Sequence, residues 1–166
     1  MLVCAKSMKD LRFDELMQVY EQSNLEAAEE RKHLPALYAL QLAEQDFRQY
    51  LQEVFFRTKD AVYCIWEEKG CYVSALRLEP YRDGLLLEAL ETKPSCRKLG
   101  YATSLIRAAQ QHLSQSEKVK LYSHVNKRNA ASIQTHQKCG FHVVSDCAVY
   151  INGSVDYRCC TLLYEC

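Results

Sequence analysis

The stretch Pro94-Ser95-Cys96-Arg97-Lys98-Leu99-Gly100-Tyr101-Ala102-Thr103 joins a β-rich run, Leu85 to Thr92, to a segment with helical periodicity. In that segment Ala102, Leu105, Ile106, Ala109 and Leu113 fall at i, i+3, i+4, i+7 and i+11, one apolar stripe on one helix face. The ten residues therefore read as a strand-to-helix turn ending at a helix N-terminus. Such a terminus attracts anions through unpaired amides and the helix dipole. Gly100 and Ala102 leave room for a ligand to approach the backbone. A lone glycine also closes ordinary turns, so its setting carries the reading.

Working outward, a short strand is expected near Leu2 to Ala5, followed from Leu11 to Phe56 by two or three helices rich in Glu, Gln, Leu and Ala. Pro35 marks a break or first turn, after which Ala36, Leu40, Ala43, Phe47, Tyr50 and Leu51 recur at helical spacing. Ala61 to Trp66 and Cys71 to Leu78 read as a hairpin about Glu67-Glu68-Lys69-Gly70, and a further turn spans Tyr81 to Gly84. Lys118 to Val125 reads as a strand, and Asn129 to Lys138 as a short helix capped by Asn129 and closed by Gly140. Two final strands, Val143 to Ile151 and Tyr157 to Tyr164, flank the turn at Asn152-Gly153. No repeat or flexible linker interrupts this order, which suits a single α/β (α+β) domain over residues 1–166.

Arg97, Gly100 and Ala102, with Pro94 ahead of them, match the (Q/R)-x-x-G-x-(G/A) loop of the GNAT acetyltransferase superfamily. Downstream, Asn129, Ser132, His136, Gly140 and Phe141 resemble the same superfamily's N-x-x-A-x-x-x-Y-x-x-x-G-F helix, with serine in place of alanine and histidine in place of tyrosine. The resemblance implies the acyl-CoA N-acyltransferase fold: a mixed, mostly antiparallel seven-stranded sheet with helices on both faces. It also implies direct transfer of an acetyl group from acetyl-CoA to an amine, without a metal. The amides of Lys98, Leu99, Gly100, Tyr101, Ala102 and Thr103 would hold the pyrophosphate, and backbone groups of Leu90 and Thr92 would pair with the pantetheine arm. Asn129 would touch the pantetheine or only cap its helix.

An attacking amine must be neutral, whereas a lysine-like ammonium has a pKa near 10, so a general base is useful. Glu88 is the candidate base, on a strand whose alternation puts it on one face with Leu86, Leu90 and Thr92 and turns Glu91 the other way. Its bland reading is a solvated or arginine-paired carboxylate. His136, at the tyrosine position, is the candidate acid for the departing thiolate, or a base. Its bland reading is a satisfied helix histidine. His124 and Tyr122 are weaker candidates.

Net charge is zero over 166 residues, but Lys9 to Asp60 carries 7 basic and 11 acidic residues, whereas Lys93 to Lys138 carries 9 basic and 1 acidic. The second segment suits a polyphosphate, and the acidic helices, with Glu21, Glu26, Glu29, Glu30 and Asp46, suit a cationic amine acceptor. Nucleic acid is the weaker explanation, since the basic segment has only Tyr101 and Tyr122 as aromatics and no helix-turn-helix or finger pattern. The longest apolar run, Ala61 to Trp66, is far short of the roughly 18 residues of a membrane span, and no secretory leader is recognisable, so a cytoplasmic location is expected. Nine cysteines without a C-x-x-C pair argue against a disulfide framework, and a zinc site from Cys139, Cys147 and Cys159 is a remote alternative. The chain is expected as a monomer or homodimer, Val143 to Cys166 offering a strand edge. A non-catalytic acyl-CoA sensor of the same fold remains the rival of a different class.

Overall fold

The computed structural model describes residues 1–114 and 119–165. In chain order these form β1 (Leu2–Ala5), α1 (Phe13–Val19), α2 (Glu21–Glu29), α3 (Ala36–Glu53), β2 (Val62–Glu68), β3 (Cys71–Tyr81) and β4 (Gly84–Thr92). They continue with α4 (Tyr101–Ser114), β5 (Lys120–Asn126), α5 (Ala130–Lys138), β6 (His142–Ser145), β7 (Ala148–Val149), β8 (Val155–Asp156) and β9 (Cys159–Glu165). Lys118 and Cys166, each part of an expected strand or edge, lie outside the described residues. No helix among the described residues is long and apolar enough to cross a membrane.

Seven strands make one sheet in the order β1-β2-β3-β4-β5-β9-β6. Every neighbouring pair is antiparallel except β4 and β5. Lys69 and Gly70, both at positive φ, close the β2–β3 hairpin as a two-residue turn requires. The α4 stripe buries Leu105, Ile106 and Ala109 on one sheet face against Leu76, Leu87 and Leu121. On the other face α1 and α3 bring Leu16 and Leu51 onto Tyr63, Ile65 and Ala75. Each fully buried leucine adds about 1.5–3 kcal/mol, so these layers hold the sheet from both sides.

Two local departures from the expected alternation matter. β4 carries a bulge: Arg77 pairs with Glu88 but Ala75 pairs with Glu91, so Leu76 faces both Ala89 and Leu90. Ala89 takes φ +50, and the Tyr20 hydroxyl donates to its carbonyl at 2.6 Å. An extra residue reverses which side chains face which way. Glu88 and Glu91 therefore share the face of Arg77 and Ala75, contrary to the strict alternation, while Leu90 packs on the α4 side. The second departure is in the last hairpin, where the expected Val143–Ile151 strand is broken in two. β6 pairs with β9, whereas β7 pairs with β8 as a separate ladder around Asn152 and Gly153. Ser145 Oγ accepts from the Cys147 amide at 3.3 Å and Thr161 donates to the Cys147 carbonyl at 2.7 Å, which bends the chain out of the sheet. β6 is thus one edge of the sheet, β1 being the other, with Val143 and Val144 exposed.

Candidate active site

The one parallel pair among the described residues positions the site. β4 and β5 are in register only from Leu85 opposite Leu121 to Leu87 opposite Ser123, although the strands run on to Thr92 and Asn126. Below the pairing they are pressed together: a Cβ on Gly84 would come 2.2 Å from the Lys120 carbonyl oxygen. Above it they part, leaving the edge of β4 beyond Leu87 without a partner strand. A cleft of about 610 Å³ opens there, lined by Ser23 and Glu26 of α2, Leu90 and Thr92 of β4, Ala102 of α4 and Ser132 of α5.

The loop before α4 borders this cleft. Pro94 starts a single helical turn, and the Arg97 guanidinium donates to the Thr92 carbonyl at 3.1 Å and to Gln22 of α2. Arg97 thus ties the loop to β4 and α2, its charge directed into the protein's own contacts. Lys98 and Gly100 both have positive φ, +64 and +84, and a Cβ at Gly100 would meet nothing within 4 Å. The first backbone acceptor bond of the helix runs from Ser104 to the Gly100 carbonyl at 3.0 Å. Among the described residues, no acceptor faces the amides of Lys98, Leu99, Gly100, Tyr101, Ala102 or Thr103. Six consecutive unpaired N–H groups on a loop of alternating handedness make an anion nest.

α5 supplies the opposite wall. Asn129 Oδ1 accepts from the Ser132 amide at 3.0 Å, capping the helix, and the same residue lines the cleft. His136 departs from the sequence expectation: it is 1% exposed, its ring packed edge-on against Phe141, and it is absent from the cleft wall, which α5 builds from Ala131, Ser132 and Thr135. Its Nδ1 lies 2.8 Å from the Ser132 carbonyl, which can only accept, so the proton sits on Nδ1 and the buried Nε2 has only a lone pair and no partner. Burial lowers its pKa below the ordinary histidine value, outweighing the bond to Ser132. A neutral imidazole of this tautomer has no proton on Nε2, and its Nδ1 proton is committed to the Ser132 carbonyl. The structure does not bring His136 and Glu88 together.

The groups that do gather around Glu88 come from β3 and β5. Arg77 Nη2 contacts Glu88 Oε1 at 2.8 Å while lying over the Tyr50 ring. Glu79, on the same face and only 9% exposed, has its pKa raised to about 7 by burial, then by the hydrogen bond and charge of Glu88. His124 stands between Tyr81 and Tyr150 with neither ring nitrogen partnered, and burial, then the Arg82 charge, lower its pKa. Tyr122 donates to Asp83 at 2.6 Å, which occupies it structurally. Glu91 accepts from Ser23, and burial raises its pKa. Glu26 reaches the cleft, whereas Asp46 is held by Arg31. Sequence alone does not single out Glu79, because its alternation with Leu76 and Leu78 is that of any strand carboxylate, and only the fold buries it.

A mixed sheet whose sole parallel pair splays open at an amide-lined helix N-terminus defines the class of acyl-CoA-dependent acyltransferases. The chain belongs to the acetyltransferase (GNAT) family, which it matches over residues 14–141. Its fold is similar to that of the PaiA N-acetyltransferase of Thermoplasma acidophilum in complex with coenzyme A, with TM-score 0.68 and 13% identity over 100% of this chain and 99% of that one. It is similar also to the ribosomal-protein-S18-alanine N-acetyltransferase of Escherichia coli, with TM-score 0.64 and 14% identity over 99% and 94%. Aminoglycoside 6'-acetyltransferase type Ii gives TM-score 0.63 and 13% identity over 99% and 96%. Among curated proteins none matches it. β1 and the strands after residue 141 lie outside the family match, and the solved structures supply their likeness.

Proposed function

We propose that the protein binds acetyl-CoA and transfers its acetyl group to a primary amine of a small molecule, protein or peptide. The observation that carries this reading is the run of six unpaired amides, Lys98 to Thr103, at the mouth of the parted β4 and β5. A pyrophosphate on these amides leads the pantetheine along the unpartnered edge of β4 at Leu90 and Thr92, beside Asn129. The thioester carbonyl then takes a hydrogen bond from a β4 amide as its oxygen becomes negative.

On the acceptor side Glu79 and Glu88 do the proton work. Arg77 engages Glu88 in an ion pair, and Glu79, with its pKa near 7, takes a proton from the incoming ammonium. The neutral amine attacks the carbonyl carbon, a C–N bond forms, the C–S bond breaks, and the nitrogen releases its second proton to solvent as the amide forms. A thiolate whose conjugate acid has a pKa of about 8.5 leaves without a protein acid and takes a proton from solvent. Carboxylates on this face favour a cationic acceptor, and the three neighbours named above are named for acetyltransfer, two of them for amine-bearing acceptors.

The test measures the thermal unfolding midpoint with acetyl-CoA, CoA and ATP in parallel. Ligand at about 100 times its Kd adds about 2.7 kcal/mol, and for a chain of this size each kcal/mol shifts the midpoint by about 2–4 °C. A rise of about 5–10 °C with both CoA species but not ATP is expected, and it should vanish in Gly100→Glu, where a carboxylate meets the phosphates. An unchanged shift in that folded variant would overturn the loop assignment. Acetyl-CoA binding with no thiol release across a panel of amines would favour the sensor instead.

A further inference from the structure

Cys4 and Cys64 face each other across the edge of the sheet. The Met1 amine donates to the Glu67 carbonyl at 2.6 Å, and the Glu67 amide donates to the Met1 carbonyl at 2.8 Å, which makes Met1 and Glu67 a hydrogen-bonded pair. Pair type alternates along an antiparallel ladder. With Leu2 opposite Trp66, Val3 opposite Ile65 and Cys4 opposite Cys64, the two cysteines form a non-hydrogen-bonded pair. Such partners have Cα atoms about 4.5 Å apart and side chains turned toward each other, inside the span of about 4.4–6.8 Å that a disulfide bridges. Among the described residues no other two cysteines are register partners.

Their surroundings differ in a useful way. Cys4 is half-buried and Cys64 fully buried, both on the face covered by α4. The Cys4 thiol is lowered to about 6, first by the hydrogen bond from Cys64, then, against the cost of burial, by His112 of α4 and by Lys6. The same bond pushes the Cys64 thiol up. The pair therefore favours ionisation of the half-buried Cys4 thiol beside a Cys64 thiol that keeps its proton, the arrangement that lets a sulfenic acid be resolved at once.

We propose that Cys4 and Cys64 are an oxidative modification site that hydroperoxides convert to a cross-strand disulfide. The Cys4 thiolate attacks one peroxide oxygen, the O–O bond breaks, and Cys4 becomes a sulfenic acid as the other oxygen leaves as hydroxide and is protonated to water. The Cys64 sulfur then attacks the sulfenic sulfur, the S–S bond forms, and the sulfenic hydroxyl departs with the Cys64 proton as a second water. Two thiols lose two electrons and one peroxide gains them. The product fastens β1 to β2 beneath α4, and it stands independently of the transfer reaction.

The experiment treats the intact protein with a few equivalents of hydrogen peroxide, alkylates remaining thiols in denaturant and maps tryptic peptides without reduction. Residues 1–6 joined to residues 60–69 are expected, with both cysteines lost to alkylation and a raised thermal midpoint. Cys64→Ala should instead accumulate a dimedone-reactive sulfenic acid at Cys4, and Cys4→Ala should leave Cys64 fully alkylated. Cys64 remaining free in the oxidised wild-type protein, or Cys4 bridging to another cysteine, would overturn the proposal. The wild-type map decides the matter even where a variant does not fold.

Discussion

In the proposed reaction Glu79 and Glu88 divide their roles because their neighbours differ. Arg77 contacts Glu88 directly, whereas Glu79 is desolvated beside an existing carboxylate and so titrates near neutrality. Removing a positioned proton acceptor costs typically 10²–10⁴-fold in rate. Glu79→Gln should therefore lower kcat/KM by about 10²-fold and erase an acidic limb near pH 7 in the pH–rate profile, with acetyl-CoA affinity retained. A variant with the limb intact would assign the titration elsewhere. His136 gives the contrasting case. Its ring fills space against Phe141, and its one donated bond stays within α5. His136→Phe should then cost much less in turnover than the roughly 10²-fold of an acid–base group, and its effect should appear in the unfolding midpoint.

At the scale of elements, the cleft exists because β4 and β5 are clamped at one end and free at the other. Gly84 is the clamp: an added methyl group would collide with the backbone of Lys120 at 2.2 Å. Overpacking of this kind costs about 1–3 kcal/mol. Gly84→Ala should lose about that much stability in urea unfolding and weaken acetyl-CoA binding, by shifting the strands whose separation sets the groove. Destabilisation without any change in affinity would mean that the upper cleft is held independently by the bulge. That bulge has its own anchor, since the Tyr20 hydroxyl reaches the Ala89 carbonyl from the α1–α2 junction.

Over the whole molecule, buried titratable groups set opposing pH dependences. The folded Glu79 carboxyl, at about 7 against an ordinary 4.5, holds a proton that the unfolded chain has lost, so raising the pH through that window lowers stability. His124 and His136, both lowered by burial, resist protonation in the fold, so stability falls as pH drops below the ordinary histidine value of 6.5. The Cys4 thiol, lowered to about 6, adds stability as pH rises above that value, so in a Cys4→Ala background urea unfolding from pH 5 to 8 should show a maximum between these limits, and Glu79→Gln should flatten its upper flank. A flank unchanged by that substitution would show that Glu79 carries no proton in the fold.

The sequence by itself determined what local pattern encodes: the stripe of α4, the cap at Asn129, the left-handed turn at Gly100 and the order of the main strands. These follow from side-chain period, capping chemistry and backbone freedom within a few residues. Tertiary structure alone decided the rest. A single extra residue at Ala89 turned Glu91 onto the face of Glu88, since parity along a strand holds only while pairing is regular. Phe47 and Tyr50 of α3, with Phe55, lie over the Arg77 guanidinium, and burial makes Arg77, Glu79 and Glu88 a desolvated charge cluster. Packing against Phe141 drew His136 inward, and strand pairing across distant residues set Cys4 against Cys64. Each outcome depends on which surfaces meet, and no local period records that.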